Sequence, residues 1–321
     1  MKKPMYFLMA LMLLLAVSCK KDPKVGTPSV KTLEATETAA NSALLNAKIN
    51  FAGVSYAGVN YGFYWGTSED QEGTYTQGEG VLGEKGDYLA VITGLTPETE
   101  YWFKAFAEID GEPFAGEILH FTTAKIPVPE AVDLGIVVNG KKIKWGSFNL
   151  GATKPEENGY FYAWGETAAK DNYSFETYKF GTSLSGPFSK YNAVDNNTVL
   201  DPGPEGDDVA SKYLGGKWRM PTQEEWTELT TKCTSSKTTQ NGKKGLLVAA
   251  TNGKSIFLPF AGFMDRTSNS TEGDSGLYWS SSLGPTTPAY AYNFMYGFGA
   301  ASTVSQSLRS MGYSVRPVWE E

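Results

Sequence analysis

The residue types that most often carry out chemistry in proteins are scarce in this chain. Its single histidine is His120, and its two cysteines are Cys19 and Cys233. A serine hydrolase needs a histidine base beside its nucleophile, and a zinc site needs several histidine or cysteine ligands. Adjacent acids such as Glu224 and Glu225 point in different directions in a helix, which disfavours a glycosidase pair. We therefore expect a protein that is not an enzyme.

Carboxylates crowd one loop rich in glycine and proline, DNNTVLDPGPEGDD, at residues 195–208. Oxygen ligands on a flexible loop suit Ca²⁺, and because the spacing is not that of an EF-hand, the sequence predicts an irregular calcium site. The alternative is a solvated acidic loop in which Asp and Pro simply form turns. The candidate calcium ligands are Asp201, Glu205, Asp207 and Asp208.

The segment AYAYNFMYGF, residues 289–298, carries an aromatic ring at every second position. In a β-strand this period places all of these rings on one face of the sheet. An exposed face of this kind stacks on sugar rings, and tyrosine hydroxyls hydrogen-bond to them. The alternative is that the rings belong to the hydrophobic core. The candidate ligand-binding residues are Tyr290, Tyr292 and Tyr296, with Trp164 and Trp279 as an extension of the same platform.

The stretch GGKWRMPTQEEWTEL, residues 215–229, contains the clearest helix signal. Thr222 and Glu225 have the spacing of a capping box, in which each side chain accepts a bond from the other residue's backbone N–H. Acidic residues in the first turn also suit the helix dipole. Trp226 and Leu229 are three residues apart and share one helical face, which predicts that they face a core. We interpret this stretch as scaffold rather than as a site.

The N-terminus is typical of an exported, lipid-anchored protein. Residues 1–18 combine a lysine-containing start with a short apolar run, which indicates a signal peptide rather than a membrane span. The sequence LLLAVSC resembles a bacterial lipoprotein box, and the resemblance implies lipidation of Cys19. The alternative is ordinary secretory cleavage near Cys19. A polar tether follows at residues 19–28. We expect a cell-envelope protein anchored in the outer membrane, facing either the periplasm or the outside.

Residues 29–124 consist of short strand-like segments separated by turns that contain glycine or proline. Segments such as YLAVITGL and YWFKAFAEI have period two, which favours an antiparallel β-sandwich. In LTPETEYWFKAFA, Tyr101 opens a strand soon after Thr96 and Pro97, the spacing of a tyrosine corner. The segment resembles a fibronectin type III domain, and this resemblance implies a fold but no chemistry.

A connector with two prolines, at residues 125–130, separates this sandwich from residues 131–321. The second part is rich in short strands and long loops and has few helices. Five motifs occur in it in order: AVDLGIVVNGKKIKWGSFNLGATKPEENGYFYAWGET, GGKWRMPTQEEWTEL, SIFLPFAGF, LYWSSS and GYSVRPV. Together they resemble the Fibrobacter succinogenes major paralogous domain, which is common in exported lipoproteins of Bacteroidetes.

That family is similar to the C-type-lectin-like fold and to formylglycine-generating enzymes, so the resemblance implies an α+β domain whose first and last strands pair. The pair would lie near residues 144–149 and 313–318. The chemistry of those enzymes depends on a late pair of cysteines, and this domain has only Cys233. The lectins' calcium-dependent motifs, Glu-Pro-Asn, Gln-Pro-Asp and Trp-Asn-Asp, do not occur in the chain. The resemblance therefore implies the fold alone.

Charge is unevenly distributed between the two parts. Residues 29–125 carry 5 Lys and 14 Asp+Glu, a net of −9, whereas residues 130–321 carry 18 Lys+Arg and 20 Asp+Glu, a net of −2. Neither part has a basic stripe, so we expect no nucleic-acid partner. The sequence favours a non-catalytic binding or adhesion protein that recognises glycan through its C-terminal domain. The alternative is an accessory or structural subunit of a surface assembly that contacts protein, and an enzyme of the formylglycine-generating type is the weakest of the three hypotheses.

Overall fold

A computed structural model describes residues 28–50, 59–69, 73–78, 86–192, 194–195, 197–285, 287–297 and 300–321. The signal peptide, the lipidation site at Cys19 and the tether up to residue 27 lie outside this range and stay predictions. Within the described residues, strands dominate and helices are few and short, as the sequence indicates. None of these helices has the length and apolarity needed to cross a membrane.

Two antiparallel sheets make up the part of the structure that precedes the connector. In one sheet the strand order is β1-β2-β5, and in the other it is β4-β3-β6-β7, with β8 also paired to β6. The strands are β1 (Ser29–Thr36), β2 (Ala43–Asn50), β3 (Asn60–Gly66), β4 (Thr74–Gln77), β5 (Asp87–Ile92), β6 (Glu100–Ile109), β7 (Glu112–Ala115) and β8 (Leu119–Thr122).

Alternation of side chains builds the core between these sheets. In β2, buried and partly exposed residues alternate along the strand, and Leu45 and Ile49 are among the buried ones. Phe63 of β3 and Phe103 of β6 reach the same core from the second sheet. Because successive side chains of a strand point to opposite faces, a period of two buries one face of each sheet. The arrangement agrees with the predicted sandwich.

Tyr101 forms the tyrosine corner that its spacing predicts. Its hydroxyl accepts a hydrogen bond from the backbone N–H of Thr96 at 2.9 Å, and its ring is buried and stacks on Phe121. The residue after β8 also holds this turn, because the hydroxyl of Thr123 donates to the carbonyl of Thr96 at 2.6 Å. These bonds fix the chain where it enters β6.

The C-terminal part contains two α-helices and many short strands among its described residues, with a 3₁₀ turn at Phe175–Thr177. The elements are β9 (Ala131–Val138), β10 (Lys141–Gly146), β11 (Phe161–Tyr162), α1 (Val209–Leu214), β12 (Trp218–Arg219), α2 (Gln223–Lys232), β13 (Thr234–Gln240), β14 (Lys243–Ala249), β15 (Ser255–Pro259), β16 (Phe263–Asp265), β17 (Ser268–Ser270), β18 (Ser275–Leu283), β19 (Tyr290–Gly297), β20 (Ala300–Leu308), β21 (Tyr313–Ser314) and β22 (Val318–Glu320).

These strands form four sheets, with orders β12-β22-β10-β9, β11-β21-β18-β19-β20, β13-β14-β15 and β16-β17. The early strand β10 and the final strand β22 pair antiparallel, with Lys144 opposite Trp319. The resemblance implies that the first and last strands pair; the last strand, β22, instead pairs with β10, the second strand of this part, a few residues from the expected positions. One strand pair is common to many folds, so it does not by itself show the lectin-like family.

Helix α2 begins with the capping box that the sequence predicts. The backbone N–H of Glu225 donates to the Thr222 hydroxyl at 3.3 Å, and the N–H of Thr222 donates to the Glu225 carboxylate at 2.8 Å. Trp226 is fully buried, with its ring stacked on Phe294 at 4.5 Å and tilted against Trp145 at 4.6 Å. The predicted helix cap and the predicted burial of Trp226 are therefore confirmed.

Two fully buried arginines cross-link the C-terminal part. Arg316 donates to the Asn149 side chain and to the carbonyls of Gly146 and Phe257 at 2.7–2.8 Å. No carboxylate of the described residues pairs with it, and burial lowers the pKa of its guanidinium to about 10. Arg309 lies over the rings of five aromatic residues, and burial lowers its pKa too. Both side chains therefore tie distant loops together through carbonyl oxygens.

The sandwich and the C-terminal part touch directly. Thr93, just after β5, donates its hydroxyl to the Asp171 carboxylate at 2.6 Å. Ala40, between β1 and β2, and Ile126, in the connector, are buried in the same cluster as Trp164. The connector therefore contributes to the C-terminal core.

Candidate ligand-binding cleft

An open cleft of about 440 Å³ lies on the C-terminal part, where the end of β18 and the start of β19 meet the beginning of α2. We call it the Tyr292 cleft, after the one aromatic residue among its described lining residues. No lysine, arginine or histidine occurs among those residues. They are Asn192, Asn197, Thr198, Val199, Gln223, Glu224, Ser282, Leu283, Gly284, Pro285, Pro288 and Tyr292.

Backbone hydrogen bonds hold the walls of this cleft in place. The segment before α1 runs beside β18, since the N–H of Leu200 donates to Ser281 at 3.0 Å and the N–H of Leu283 donates to Thr198 at 2.7 Å. The first turn of α2 is joined to the same strand, because the N–H of Gln223 donates to the Ser282 hydroxyl at 3.1 Å. Three chain segments distant in sequence therefore form one rigid depression.

Several polar side chains of the cleft have no partner among the described residues. Tyr292 is half-buried, and neither its hydroxyl nor the side chains of Gln223 and Glu224 make a hydrogen bond or ion pair there. Glu225, next to Glu224, contrasts with it, because Arg219 and the capping box occupy its carboxylate. The cleft thus offers a hydroxyl, an amide and a carboxylate to a ligand.

Most of the predicted aromatic platform is core, which corrects that prediction. Trp164, Trp279 and Tyr296 are at most 2% exposed. Their polar atoms are satisfied internally: Trp164 donates to Ser280 at 2.9 Å, Trp279 donates to Tyr162 at 2.7 Å, and the Tyr296 hydroxyl donates to Leu258 at 2.6 Å. Strand β19 lies between two hydrophobic clusters, so both of its faces are covered.

The N-terminal end of the aromatic segment differs from its middle. Tyr290 and Tyr292 are half-buried, and only Tyr292 belongs to the described lining of the cleft. The Tyr290 carbonyl instead accepts a bond from the N–H of Gly284 at 2.8 Å. Phe298 lies outside the described residues. Tyr292 is therefore the one ring of the predicted platform that belongs to the described lining of the cleft.

The acidic loop is cross-linked to basic and hydroxyl side chains. Asp207 accepts hydrogen bonds from Lys179 at 3.0 Å, from Lys190 and from the Tyr191 hydroxyl at 2.9 Å. Burial alone would raise the pKa of Asp207, but these hydrogen bonds outweigh it and hold the pKa below its ordinary value. Asp201 also pairs with Lys190. These carboxylates are therefore occupied by cations of the protein itself.

Asp208 makes different contacts from its neighbour Asp207. Its carboxylate is the N-cap of α1, accepting from the N–H of Ser211 at 2.9 Å and also from the N–H of Met220. Burial raises the pKa of Asp208 to about 6. Among the described residues, no three Asp, Glu, His or Cys side chains converge where they could hold a metal ion. This corrects the calcium site expected at Asp201, Glu205, Asp207 and Asp208, because lysines and backbone N–H groups hold the loop instead.

His120 and Cys233 lie away from the cleft. His120, on β8, is exposed, with its Nδ1 3.0 Å from the Glu100 carboxylate and its ring 4.9 Å from that of Trp102. Cys233 ends α2, is partly buried, and burial raises the pKa of its thiol. Both residues lie outside the described lining of the cleft.

Sequence reasoning missed most of the residues that line the cleft. The sequence marks Gln223 only as part of a helix, and no sequence pattern marks Asn197, Thr198 or Ser282. A usable signal was present in QEEW, where Gln223 and Glu224 stand on the exposed side of a helix whose Trp226 faces the core. That signal says which side chains are free, but not which loops lie opposite them.

No protein-family model and no curated protein matches the chain. Among solved structures, the chain is similar to the sensor domain of the anti-sigma factor RsgI4 of Pseudobacteroides cellulosolvens, at 19% identity over 30% of this chain and 94% of that one, with a TM-score of 0.25. It is also similar to a fibronectin type III domain derived from the human KIAA0970 protein, at 16% identity over 30% of this chain and 73% of that one, with a TM-score of 0.21. Similarities of this size carry no argument about function.

Proposed function

We propose that this chain is a non-catalytic binding protein that holds a glycan in the Tyr292 cleft. The proposal depends on one observation: an open cleft of about 440 Å³ whose described lining offers free hydrogen-bonding groups and no positively charged side chain. Small-molecule sites commonly measure roughly 300–1,000 Å³. A sugar suits such a lining, because its hydroxyls need amide and hydroxyl partners while its C–H face packs on an aromatic ring.

Binding is favoured over catalysis by the same set of residues. Glu224 is the single carboxylate among the described residues that line the cleft. Glycoside hydrolysis requires a second carboxyl group, about 5.5 Å away for a retaining enzyme or roughly 6.5–9.5 Å away for an inverting one. The cleft residues described here supply no such pair, so we propose a binding role.

The wider setting of the cleft is also part of the proposal. We propose that the protein is anchored to the outer membrane by a lipid on Cys19, with the acidic sandwich as a spacer below a C-type-lectin-like unit. The pattern LLLAVSC supports the anchor. The antiparallel pairing of β10 with β22 supports the lectin-like unit.

A protein partner is the second candidate, and exposed apolar side chains favour it. Val194, Val199 and Leu184 surround the cleft region with exposures of 90%, 44% and 53%. Clustered apolar exposure of this kind marks contact surfaces in many proteins. In this case the protein would be an accessory subunit of a surface assembly.

A glycan array on the purified full chain, made with Cys19→Ser to keep it free of lipid, tests the proposal. We expect binding that weakens about tenfold or more in Tyr292→Ala, since a well-packed aromatic contact contributes about that much to affinity. Tyr290→Ala is the matched control, because Tyr290 lies on the same strand outside the described lining of the cleft. We expect no change with EDTA, because the acidic loop is held by lysines.

Each result has a clear meaning. Binding that is lost in Tyr292→Ala but kept in Tyr290→Ala supports the cleft as the site. Equal loss in both variants points to another surface of β19 and contradicts the cleft. No binding to any glycan overturns the proposal in favour of a protein partner.

A further inference from the structure

A second hollow, of about 390 Å³, adjoins the Tyr292 cleft. The two share Asn192 and Pro288 as a common wall. We call it the apolar groove, because carbon-rich side chains supply most of its described lining. The residues are Leu184, Ser185, Gly186, Pro187, Phe188, Asn192, Val194, Thr287, Pro288 and Ala289.

The apolar groove keeps large apolar side chains in contact with solvent. Leu184 is 53% exposed and Val194 is 90% exposed. Removal of apolar surface from water is favourable, so an apolar group placed against these side chains is favoured. The groove is therefore suited to a small apolar substituent of a ligand.

Arg309 holds both walls of the groove in fixed positions. Its guanidinium donates to the carbonyl of Pro288 at 2.7 Å on one side and to the carbonyl of Tyr191 at 3.2 Å on the other. It also packs under the ring of Phe188, 4.9 Å from the ring centroid. The Asn192 side chain completes the wall by donating to the Phe188 carbonyl at 2.8 Å. A pre-organised site loses less entropy when a ligand binds.

From this geometry we infer that the ligand is an N-acetylated amino sugar whose acetyl methyl occupies the apolar groove while the ring occupies the Tyr292 cleft. This inference rests on the proposed glycan function and narrows it to one class of sugar. A plain hexose offers only hydroxyls to the groove, whereas an acetamido group adds a methyl beside a polar amide. Acidic sugars are disfavoured, because the charged residue in the described lining of the cleft is Glu224, and its carboxylate repels negative charge.

Three β-1,4-linked tetrasaccharides that differ only at carbon 2 test the inference on the full chain. They consist of glucose, of N-acetylglucosamine and of glucosamine, so carbon 2 carries a hydroxyl, an acetamido group or an ammonium group. Isothermal titration calorimetry measures each affinity. We expect the N-acetylated tetramer to bind about tenfold more tightly than the glucose tetramer, and the glucosamine tetramer to gain nothing comparable.

Val194→Ser is the diagnostic variant, since it changes a 90% exposed side chain of the groove without touching the core. Val137→Ser is the matched control, because Val137 is 53% exposed on β9, outside both hollows. We expect Val194→Ser to remove most of the preference for the N-acetylated tetramer and to leave binding of the glucose tetramer unchanged. Val137→Ser should change neither.

The outcomes separate this inference from the proposed function. Equal binding of the glucose and N-acetylated tetramers, or a preference that survives Val194→Ser, overturns the inference and leaves glycan binding in place. A stronger response to the glucosamine tetramer overturns it too, and assigns selectivity to Glu224. If none of the three tetramers binds and the glycan array is also silent, both the inference and the proposed function are wrong.

Discussion

The two parts of the molecule keep polar groups out of their cores to very different degrees. In the described part of the sandwich, the buried polar residues are Thr32 and Thr123. Among the described residues of the C-terminal part, sixteen polar or charged residues are buried, including Arg309, Arg316 and Asp208. Buried polar groups are tolerated only where hydrogen bonds satisfy them. The sandwich is therefore organised by apolar alternation, and the C-terminal part by networks that satisfy its loops.

This difference relates structure to function. A strand whose side chains alternate between solvent and core has little freedom to form a pocket. Long loops do have that freedom, but their carbonyls need partners wherever they pass through the interior. Arg309 and Arg316 provide such partners, and Arg309 bonds the carbonyls of Tyr191 and Pro288 in the loops that border the Tyr292 cleft and the apolar groove. The predictions below probe this contrast, beginning with the largest expected effect.

Removing a buried arginine should damage the C-terminal part most. Arg316→Met leaves three buried acceptors without a donor, and each costs about 1–3 kcal/mol, so we expect a loss of about 4–6 kcal/mol in the free energy of unfolding. Urea denaturation followed by tryptophan fluorescence measures it. Arg266→Met, at an exposed arginine, should change stability by no more than about 0.5 kcal/mol. Equal effects of the two substitutions would show that the hydrogen bonds of the buried arginine do not stabilise the C-terminal core.

Trp226→Ala should destabilise the C-terminal part by about 3–5 kcal/mol, the range for truncation of a buried tryptophan. The ring is fully buried between Trp145 and Phe294, so the neighbours cannot easily collapse into the space it leaves. Thermal unfolding by circular dichroism gives the change. A melting temperature equal to that of the parent chain would contradict the scaffold role.

Asp208→Asn should make stability less dependent on pH. The folded-state pKa of Asp208 is raised to about 6, above an unfolded value of about 3.9, so its favourable contribution is complete below pH ~4 and is lost as pH rises through ~6. Asparagine keeps the acceptor for Ser211 and Met220 without the buried charge. We therefore expect the variant to exceed the parent by about 2 kcal/mol at pH 7 and to match it near pH 4.

Denaturant titrations at a series of pH values test this difference. Asp207→Asn serves as the comparison, because the pKa of Asp207 is lowered and its contribution is lost as pH falls. The two substitutions should therefore change the pH profile in opposite directions. Parallel profiles would show that the two neighbouring carboxylates do not have separate roles.

The smallest predicted effect belongs to the sandwich. Tyr101→Phe removes one hydrogen bond, to the N–H of Thr96, and should cost about 1 kcal/mol. Tyr64→Phe is the control, since the Tyr64 hydroxyl makes no hydrogen bond among the described residues. Denaturant midpoints of both variants give the result. A loss above about 3 kcal/mol for Tyr101→Phe would show that the sandwich also depends on a polar network.

The features predicted correctly are those that short-range spacing determines. The capping box joins Thr222 and Glu225, three residues apart, and the tyrosine corner joins Thr96 and Tyr101, five residues apart. The period-two segments became strands because side chains alternate along any strand. Such features follow from the sequence, since the partners meet whatever the rest of the chain does. The burial of Trp226 follows in the same way from its helical face.

Only the tertiary structure decided which chemical groups are free. The spacing of the aromatic residues correctly places them on one face of β19. Spacing cannot show whether that face meets solvent or a hydrophobic cluster, and β19 lies between two such clusters. The acids of the loop could have faced a metal ion, yet Lys179 and Lys190, seventeen or more residues away in the chain, neutralise Asp207. The Tyr292 cleft combines segments near residues 197, 223 and 292, which no local pattern brings together. Sequence determines local geometry, whereas the availability of a side chain depends on what the rest of the fold places against it.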